Sequence, residues 1–271
     1  MSHTTSDVRT DLLLRVDDLQ VLYGGRQVSS LPSLSIAPGE VVAIVGESGS
    51  GKSTALMAIL GLLNGTSAQV RGSIDAFGTQ VVGSSERQMR SLRGSEMTLI
   101  MQSPQASLNP TMRLRTLIHR ALRRHGIDKS EAASRIQDAM TAVRLDEKIL
   151  DRYAHEVSGG QAQRFAIALS VCLGARLIAA DEPTSALDAT VQLEVLTLIH
   201  RLAQERSTAW LVVAHDLAMV SMIADHVVVM RNGEVLEAGS TRTVLGEPQH
   251  EYTRTLLDAV PTLPGEGVEH V

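Results

Sequence analysis

Nine residues constrain this chain more than any others: residues 46–54 read GESGSGKST, between the apolar run 41–45 and the helix-like run 55–63. Glycines at 46, 49 and 51 let a backbone turn back on itself with its N–H groups pointing inward, a nest for phosphate oxygens where a β-carbon would intrude. Lys52 supplies a point charge for β- and γ-phosphates, Ser53 offers a hydroxyl to Mg²⁺, and the following helix aims its positive end at the same spot. Glu47, Ser48, Ser50 and Thr54 complete the loop. A Gly/Ser-rich surface turn would account for the glycines but not for the full G-x-x-x-x-G-K-S spacing set between strand and helix. The spacing is that of a P-loop, and a nucleoside triphosphate is the first ligand it predicts.

Such a loop belongs to an α/β core, and 271 residues, 44% of them hydrophobic, suffice for one large domain or two modest ones. A net charge of −5 and an aromatic content of 2% leave neither a broad basic surface nor base-stacking platforms, which argues against a nucleic-acid partner. One cysteine, Cys172, cannot form an internal disulfide or a cysteine-ligated cluster and reads as a small buried residue in a reducing compartment. The first residues are too acidic, and their apolar run too short, for a signal peptide. No apolar run approaches the ~18 residues of a membrane span, so work at a membrane would need a separate spanning partner.

In chain order, alternation over residues 12–22, ended by Tyr23-Gly-Gly25, predicts an antiparallel strand and turn. Residues 34–36 predict a second strand, 41–45 a buried one and 70–77 another, with Asn64-Gly65 stopping the helix after the P-loop. Residues 86–93 read as a helix and 97–101 as a short strand. Two prolines in 103–110 predict an irregular loop there. From 111 to 150 the apolar positions Leu114, Leu117, Ile118, Ala121 and Leu122, then Ala132, Ile136, Ala139, Met140 and Val143, mark helical faces with the arginines of 113–124 on the solvated side. Helices at 162–173 and 189–205, strands at 177–180 and 210–214, an Asn232-Gly233 hairpin over 227–238, a short helix and a frayed tail after Val260 complete the reading.

Several polar residues stand at the ends of these elements. Tyr23 either packs on its own turn or lays its ring against a purine. Gln102 either caps a turn or reaches Mg²⁺ and a water. Ser158-Gly-Gly-Gln161 caps a helix whose exposed first N–H groups make a second anion site, unless it is merely a Gly-rich helix start. Asp181-Glu182 follows a buried strand, where paired carboxylates are costly unless used: Asp181 to hold Mg²⁺, Glu182 to orient and polarise the attacking water. His215 ends a strand at the edge where open α/β sheets keep ligands, though a solitary strand-end histidine is often structural.

The ordered set GESGSGKST, Gln102, VSGGQAQR, LIAADEPTSALD and His215 resembles the ATP-binding subunits of ABC transporters across nearly the whole chain. The resemblance implies a P-loop NTPase of the ABC ATPase type, with a mixed sheet core, an antiparallel β subdomain and an inserted all-helical signature subdomain. Its expected divisions are 1–85 for the first part of the nucleotide-binding core, 86–175 for the helical subdomain, 176–245 for the rest of the core and 246–271 for a short extension. It implies ATP and Mg²⁺ as ligands, with Tyr23 on adenine and Gln102 sensing Mg²⁺ and a transmembrane partner. Ser158, Gly159, Gly160 and Gln161 become the signature motif, Asp181 and Glu182 the Walker B pair, Asp188 the D-loop aspartate and His215 the switch histidine at the γ-phosphate. Val157 replaces a more usual leucine.

A narrower likeness is to the peptide/nickel importer group, carried by QSPQASLNP, by Tyr153-Ala-His-Glu156 and by HEYTRTLLDAVP, with Ala154 and Glu251 where prolines are usual. The cysteine-bearing C-terminal extension of some relatives has no counterpart here, so an iron–sulfur site is not expected. The family model is a head-to-tail dimer with an identical or related ATP-binding subunit, on two integral membrane permease subunits and indirectly an extracytoplasmic solute-binding protein. Its place is peripheral, on the cytoplasmic face of the inner membrane. An unfused permease and the signature lead-in favour import over export. A non-transport ABC ATPase acting on nucleic acid or ribosomes, and a P-loop phosphotransferase, are the competing readings; the acidic charge weighs against the first, VSGGQAQR against the second.

Overall fold

The computed structural model describes residues 12–258; the tail after Val260 and the first eleven residues lie outside them. Runs of apolar residues without alternation form the centre of the molecule. Strands β1 (Leu14–Tyr23), β2 (Arg26–Ile36) and β3 (Val41–Val45) lead to α1 (Lys52–Ile59), then come β4 (Ala68–Ala76), β5 (Thr79–Gln80), α2 (Glu86–Leu92) and β6 (Met97–Ile100). Four helices follow, α3 (Pro104–Ser107), α4 (Leu114–Arg124), α5 (Lys129–Ala142) and α6 (Gly159–Leu173). After them come β7 (Leu177–Asp181), α7 (Ala189–Arg206), β8 (Ala209–Ala214), α8 (Leu217–Ser221), β9 (His226–Arg231), β10 (Glu234–Ser240), α9 (Thr241–Gly246) and α10 (Glu251–Asp258).

The six-stranded sheet runs β10-β9-β3-β8-β7-β6, parallel except for β10. Its central strands are buried on both faces, which explains their unbroken apolar sequence. Along β3 the faces alternate: Val41, Ala43 and Val45 pack with the helices, Val42 and Ile44 with α1 and the second sheet. That second sheet, β2-β1-β4-β5, is antiparallel. Strand β6 falls inside residues 86–175 yet hydrogen-bonds to β7 at the edge of the core sheet, so the helical layer is α3 to α6.

Four local expectations need correction. Strand β2 starts at Arg26, well before residue 34: it is a sheet-edge strand, where polar residues and Pro32 are tolerated, and Pro32 lies opposite a bulge at Asp18 (φ +50). The post-P-loop helix begins at Lys52 and ends at Ile59, before the left-handed Gly61, so Asn64-Gly65 belongs to the turn beyond it. Residues 103–110 hold one helical turn, α3, because Pro104 occupies its first turn, where a missing N–H costs nothing. Finally, the apparent alternation of β1 changes phase: Leu14 and Val16, then Leu19 and Val21, are buried on either side of the Asp18 bulge.

Candidate functional site

Strand register assembles the site. Val45 pairs with Ala214, Asp181 with Val213 and Ile100 with Ala180. One or two residues further along each strand therefore place Gly46, Gln102, Glu182 and His215 along a single edge, the carboxyl ends of parallel strands.

The P-loop backbone needs its glycines for different reasons. All three have φ in the left-handed half of the map, +150° at Gly46, +81° at Gly49 and +95° at Gly51. A β-carbon on Gly46 would lie 2.0 Å from the carbonyl oxygen of Met230, and one on Gly51 2.5 Å from that of Val28, whereas Gly49 faces open space. The loop is thus pressed against β2 on one side and the end of β9 on the other. Gly233, in the β9–β10 turn, donates to Ser50 O at 3.0 Å and accepts from Ser30 N at 2.6 Å, joining loop, hairpin and β2.

Lys52 is only 4% exposed and its ammonium donates to Gly46 O and Glu47 O, each at 2.7 Å. Burial holds it below the usual lysine range, against the opposing charges of Glu182, Asp181 and Glu47. Ser53 Oγ donates to Asp181 Oδ1 at 2.9 Å. Burial, and after it the charge of Glu182, holds the Asp181 carboxyl above the usual aspartate range; the Ser53 hydrogen bond and Lys52 pull the other way. Gln102 Nε2 donates to Glu182 Oε2 at 3.0 Å, and His215 Nδ1 lies 3.6 Å from the same oxygen. Glu182 adopts φ +46°, a left-handed conformation that costs a non-glycine residue about 1–2 kcal/mol. Its N–H donates to Val213 O at 2.8 Å, which ties the turn to the neighbouring strand.

The structure thus brings Gly46 to Thr54, Gln102, Asp181, Glu182 and His215 together. The other candidates lie apart. Ser158 and Gln161 are engaged with one another in a capping box at the start of α6, and Gly159 and Gly160 abut Leu187 and Val191. Asp188 caps α7 by accepting from Val191 N at 3.1 Å. Tyr23, at the β1–β2 turn, is 38% exposed. No hydrogen bond or ion pair among the described residues joins 158–161, Asp188 or Tyr23 to the P-loop.

Two residues of the site were not singled out from sequence. Ser185 Oγ accepts from Gln102 Nε2 at 3.3 Å and donates to Glu182 O at 3.2 Å; its position three residues past the paired carboxylates was the available signal. Tyr252, read only as part of a C-terminal stretch, reaches Glu47. A groove of about 390 Å³ opens beside Gln102 between β6 and α6, lined among others by Leu99, Met101, Pro104, Leu108 and Leu169.

The residues fit the ligands expected of them. The cradle has no room for a β-carbon at Gly46 or Gly51 and is open at Gly49, so its backbone N–H groups can approach phosphate oxygens. Ser53 and Asp181 form an oxygen-only pair, and among the described residues no cluster of three His, Cys, Asp or Glu could hold a metal alone. Such a sparse donor set suits Mg²⁺, which keeps waters and phosphate oxygens in its shell.

Fold and site together define a P-loop ATPase. The family model described as "ABC transporter" matches residues 31–185. The oligopeptide transport ATP-binding protein OppD of Salmonella typhimurium is 40% identical over 266 residues, covering 96% of this chain and 79% of that protein. The probable D,D-dipeptide transport ATP-binding protein DdpD of Escherichia coli is 42% identical over 233 residues, 84% of this chain and 71% of the relative. Among solved structures, cbiO1 from Clostridium perfringens, part of the ABC transporter complex cbiONQ, superposes with a TM-score of 0.78 at 26% identity, over 88% of this chain and 92% of that one. The chain belongs to the ABC transporter family. It is an ATP-binding, ATP-hydrolysing transporter subunit with no helix, among the described residues, long and apolar enough to cross a membrane.

Proposed function

We propose that this chain energises the uptake of peptides through a separate permease, by closing and opening head to tail against a second ATP-binding subunit. The observation that carries the dimer is the separation of two anion-binding ends. Lys52 and Glu182 sit at the sheet edge, while the start of α6 is bonded to itself and to none of the P-loop. Each ATP is accordingly enclosed by residues 46–54 of one subunit and Ser158, Gly159 and Gly160 of the other, with Asp188 and Gln161 at the seam. Tyr23, exposed at its strand end, takes the adenine.

Within a closed site, Lys52 and the N-termini of α1 and the partner's α6 offset charge on the phosphoryl group. What Mg²⁺ supplies, when held by Ser53 and Asp181 within reach of Gln102, is neutralisation at the β- and γ-phosphates. Glu182, steadied by Gln102 and Ser185, accepts the proton of the attacking water, and His215 contacts the γ-phosphate. Loss of that phosphate releases the partner, and the loop from Gln102 passes the movement to a permease helix seated in the apolar groove beside it. Residues 86–175, apart from β6, act as the moving helical subdomain between the two parts of the core, 1–85 and 176–245, with 246–271 as an extension. Peptide cargo is favoured because both relatives named above are peptide-transport proteins. An extracytoplasmic solute-binding protein then delivers the cargo, and the chain lies on the cytoplasmic face of the membrane.

ATP turnover per chain should rise with protein concentration and fall when Gly159 or Gly160 is replaced by a large residue. A strictly monomeric preparation hydrolysing ATP at full, concentration-independent speed would overturn the dimer. Transport is tested in vesicles carrying the permease and binding protein. ATP-dependent accumulation of a labelled peptide supports the cargo, and accumulation of nickel without peptide refutes it.

A further inference from the structure

We propose that Tyr252 on α10 is a positioning residue for ATP binding, which it serves by fixing the first peptide unit of the P-loop. Its hydroxyl accepts a hydrogen bond from Glu47 N at 3.1 Å, across 205 residues of sequence. The carbonyl of the same Gly46–Glu47 peptide accepts from Lys52 Nζ at 2.7 Å. One peptide plane is thus held from both sides, by the C-terminal helix and by the phosphate-binding lysine. Its orientation sets where the loop leaves β3 and where the ammonium rests.

Tyr252 is itself firmly seated. It is 5% exposed, and the Arg231 guanidinium lies 4.6 Å from its ring centroid. Arg231 follows Met230, the residue whose carbonyl backs Gly46, so the same strand end supports both the loop and the tyrosine. The start of α10 is anchored to β10: Glu237 accepts from Gln249 N at 2.9 Å and His250 N at 3.2 Å, while His250 Nδ1 accepts from Tyr252 N at 3.0 Å. Residues 249–252 form a strap that ends on the P-loop. Among the described residues nothing comparable reaches the hydrolytic groups: Gln102, Glu182 and His215 lie just past the ends of β6, β7 and β8, and no hydrogen bond joins them to α10. The tyrosine therefore acts chiefly on binding, through the loop and its lysine, and touches none of the groups that handle the attacking water.

The proposal rests on residues 46–54 binding the phosphates of ATP, which Lys52→Ala tests separately. Tyr252→Phe removes the hydroxyl and keeps the ring beneath Arg231. In the full chain, a titration with labelled ATP analogue should show a roughly 2- to 10-fold weaker Kd, the scale of one neutral hydrogen bond. In the assembled transporter, the KM for ATP should rise by the same factor with kcat within about twofold. Amide exchange in the unmodified chain should find Glu47 N–H protected like the β3 amides, and Tyr252→Phe should release it. Unchanged Kd with normal melting, or a fall in kcat at constant KM, overturns the role, as does an unprotected Glu47 amide in the unmodified chain even should the variant fail to fold. Lys52→Ala that binds ATP normally would sink the P-loop premise instead; loss of binding there beside an unaffected Tyr252→Phe sinks this inference alone.

Discussion

A single methyl group on Gly46 should damage this molecule far more than the same methyl on Gly49, although both belong to one loop and both have positive φ. The Cβ of Gly46→Ala would stand 2.0 Å from Met230 O and 3.0 Å from Ser50 Oγ, about 1 Å short of the closest approach real Cβ atoms make. Neither backbone can give way cheaply, because Val45 and Val229 pair in the centre of the sheet immediately before the clash. Overpacking of this kind costs about 1–3 kcal/mol. The backbone at φ +150° adds about 1–3 kcal/mol, giving about 2–6 kcal/mol together. For a chain of this size that lowers Tm by about 4–24 °C. At Gly49, with no atom within 4 Å, only the left-handed penalty of about 1–2 kcal/mol applies. Thermal unfolding of the two full-length variants, without nucleotide and at one protein concentration, decides the matter. Should Gly46→Ala melt at or above Gly49→Ala, the close approach of β9 to the loop is not what demands the glycine.

Other expectations concern the chemistry. Glu182→Gln should keep ATP binding while phosphate release falls roughly 10²-fold or more, the scale of losing a general base; a near-normal rate in the assembled transporter would remove Glu182 from that role. Lys52→Ala should weaken nucleotide binding itself, read by fluorescence titration, since its ammonium is the buried cation at the loop. Burial raises the Asp181 carboxyl above its unfolded value, so the folded chain holds a proton the unfolded chain releases, and stability falls as pH rises through that interval. Asp181→Asn should therefore melt above the parent at pH 7 without metal or nucleotide, and a lower Tm would contradict the burial assignment.

What the sequence revealed follows from where its signals are local. Residues 41–45, 177–180 and 210–214 were legible as strands because burial on both faces removes every polar residue. The ends of those strands carried the motif residues, so parallel register alone brought Gly46, Glu182 and His215 to one edge. The first half of β2 was not legible, since an edge strand with Arg26, Gln27 and Pro32 satisfies no alternation rule. The helical turn at Pro104 was not legible because a proline, which ends most elements, is here the first residue of one. Ser185 and Tyr252 escaped for a different reason: each acts through one hydrogen bond to a distant segment, which leaves no periodic trace.

The P-loop also shows why a short motif does not by itself specify a binding site. Its glycines permit the nest, but its shape is imposed by segments far away in sequence. Gly51 meets Val28 O on β2, Gly233 would place a Cβ 2.8 Å from that same oxygen, and Ser30, Gly233 and Ser50 are linked in one run of backbone bonds. Asn232-Gly233 reads locally as a hairpin turn, yet its glycine is demanded twice, by φ +83° and by this contact. The strand that supports the nest begins at Arg26, which pairs with Tyr23 across the β1–β2 turn. The aromatic proposed for the base and the loop proposed for the phosphates are therefore fixed to one strand, a few residues apart. A nucleotide bridging them reads the geometry of β2, so changes at residues 26–30 should alter ATP affinity although none of them carries a recognisable nucleotide motif.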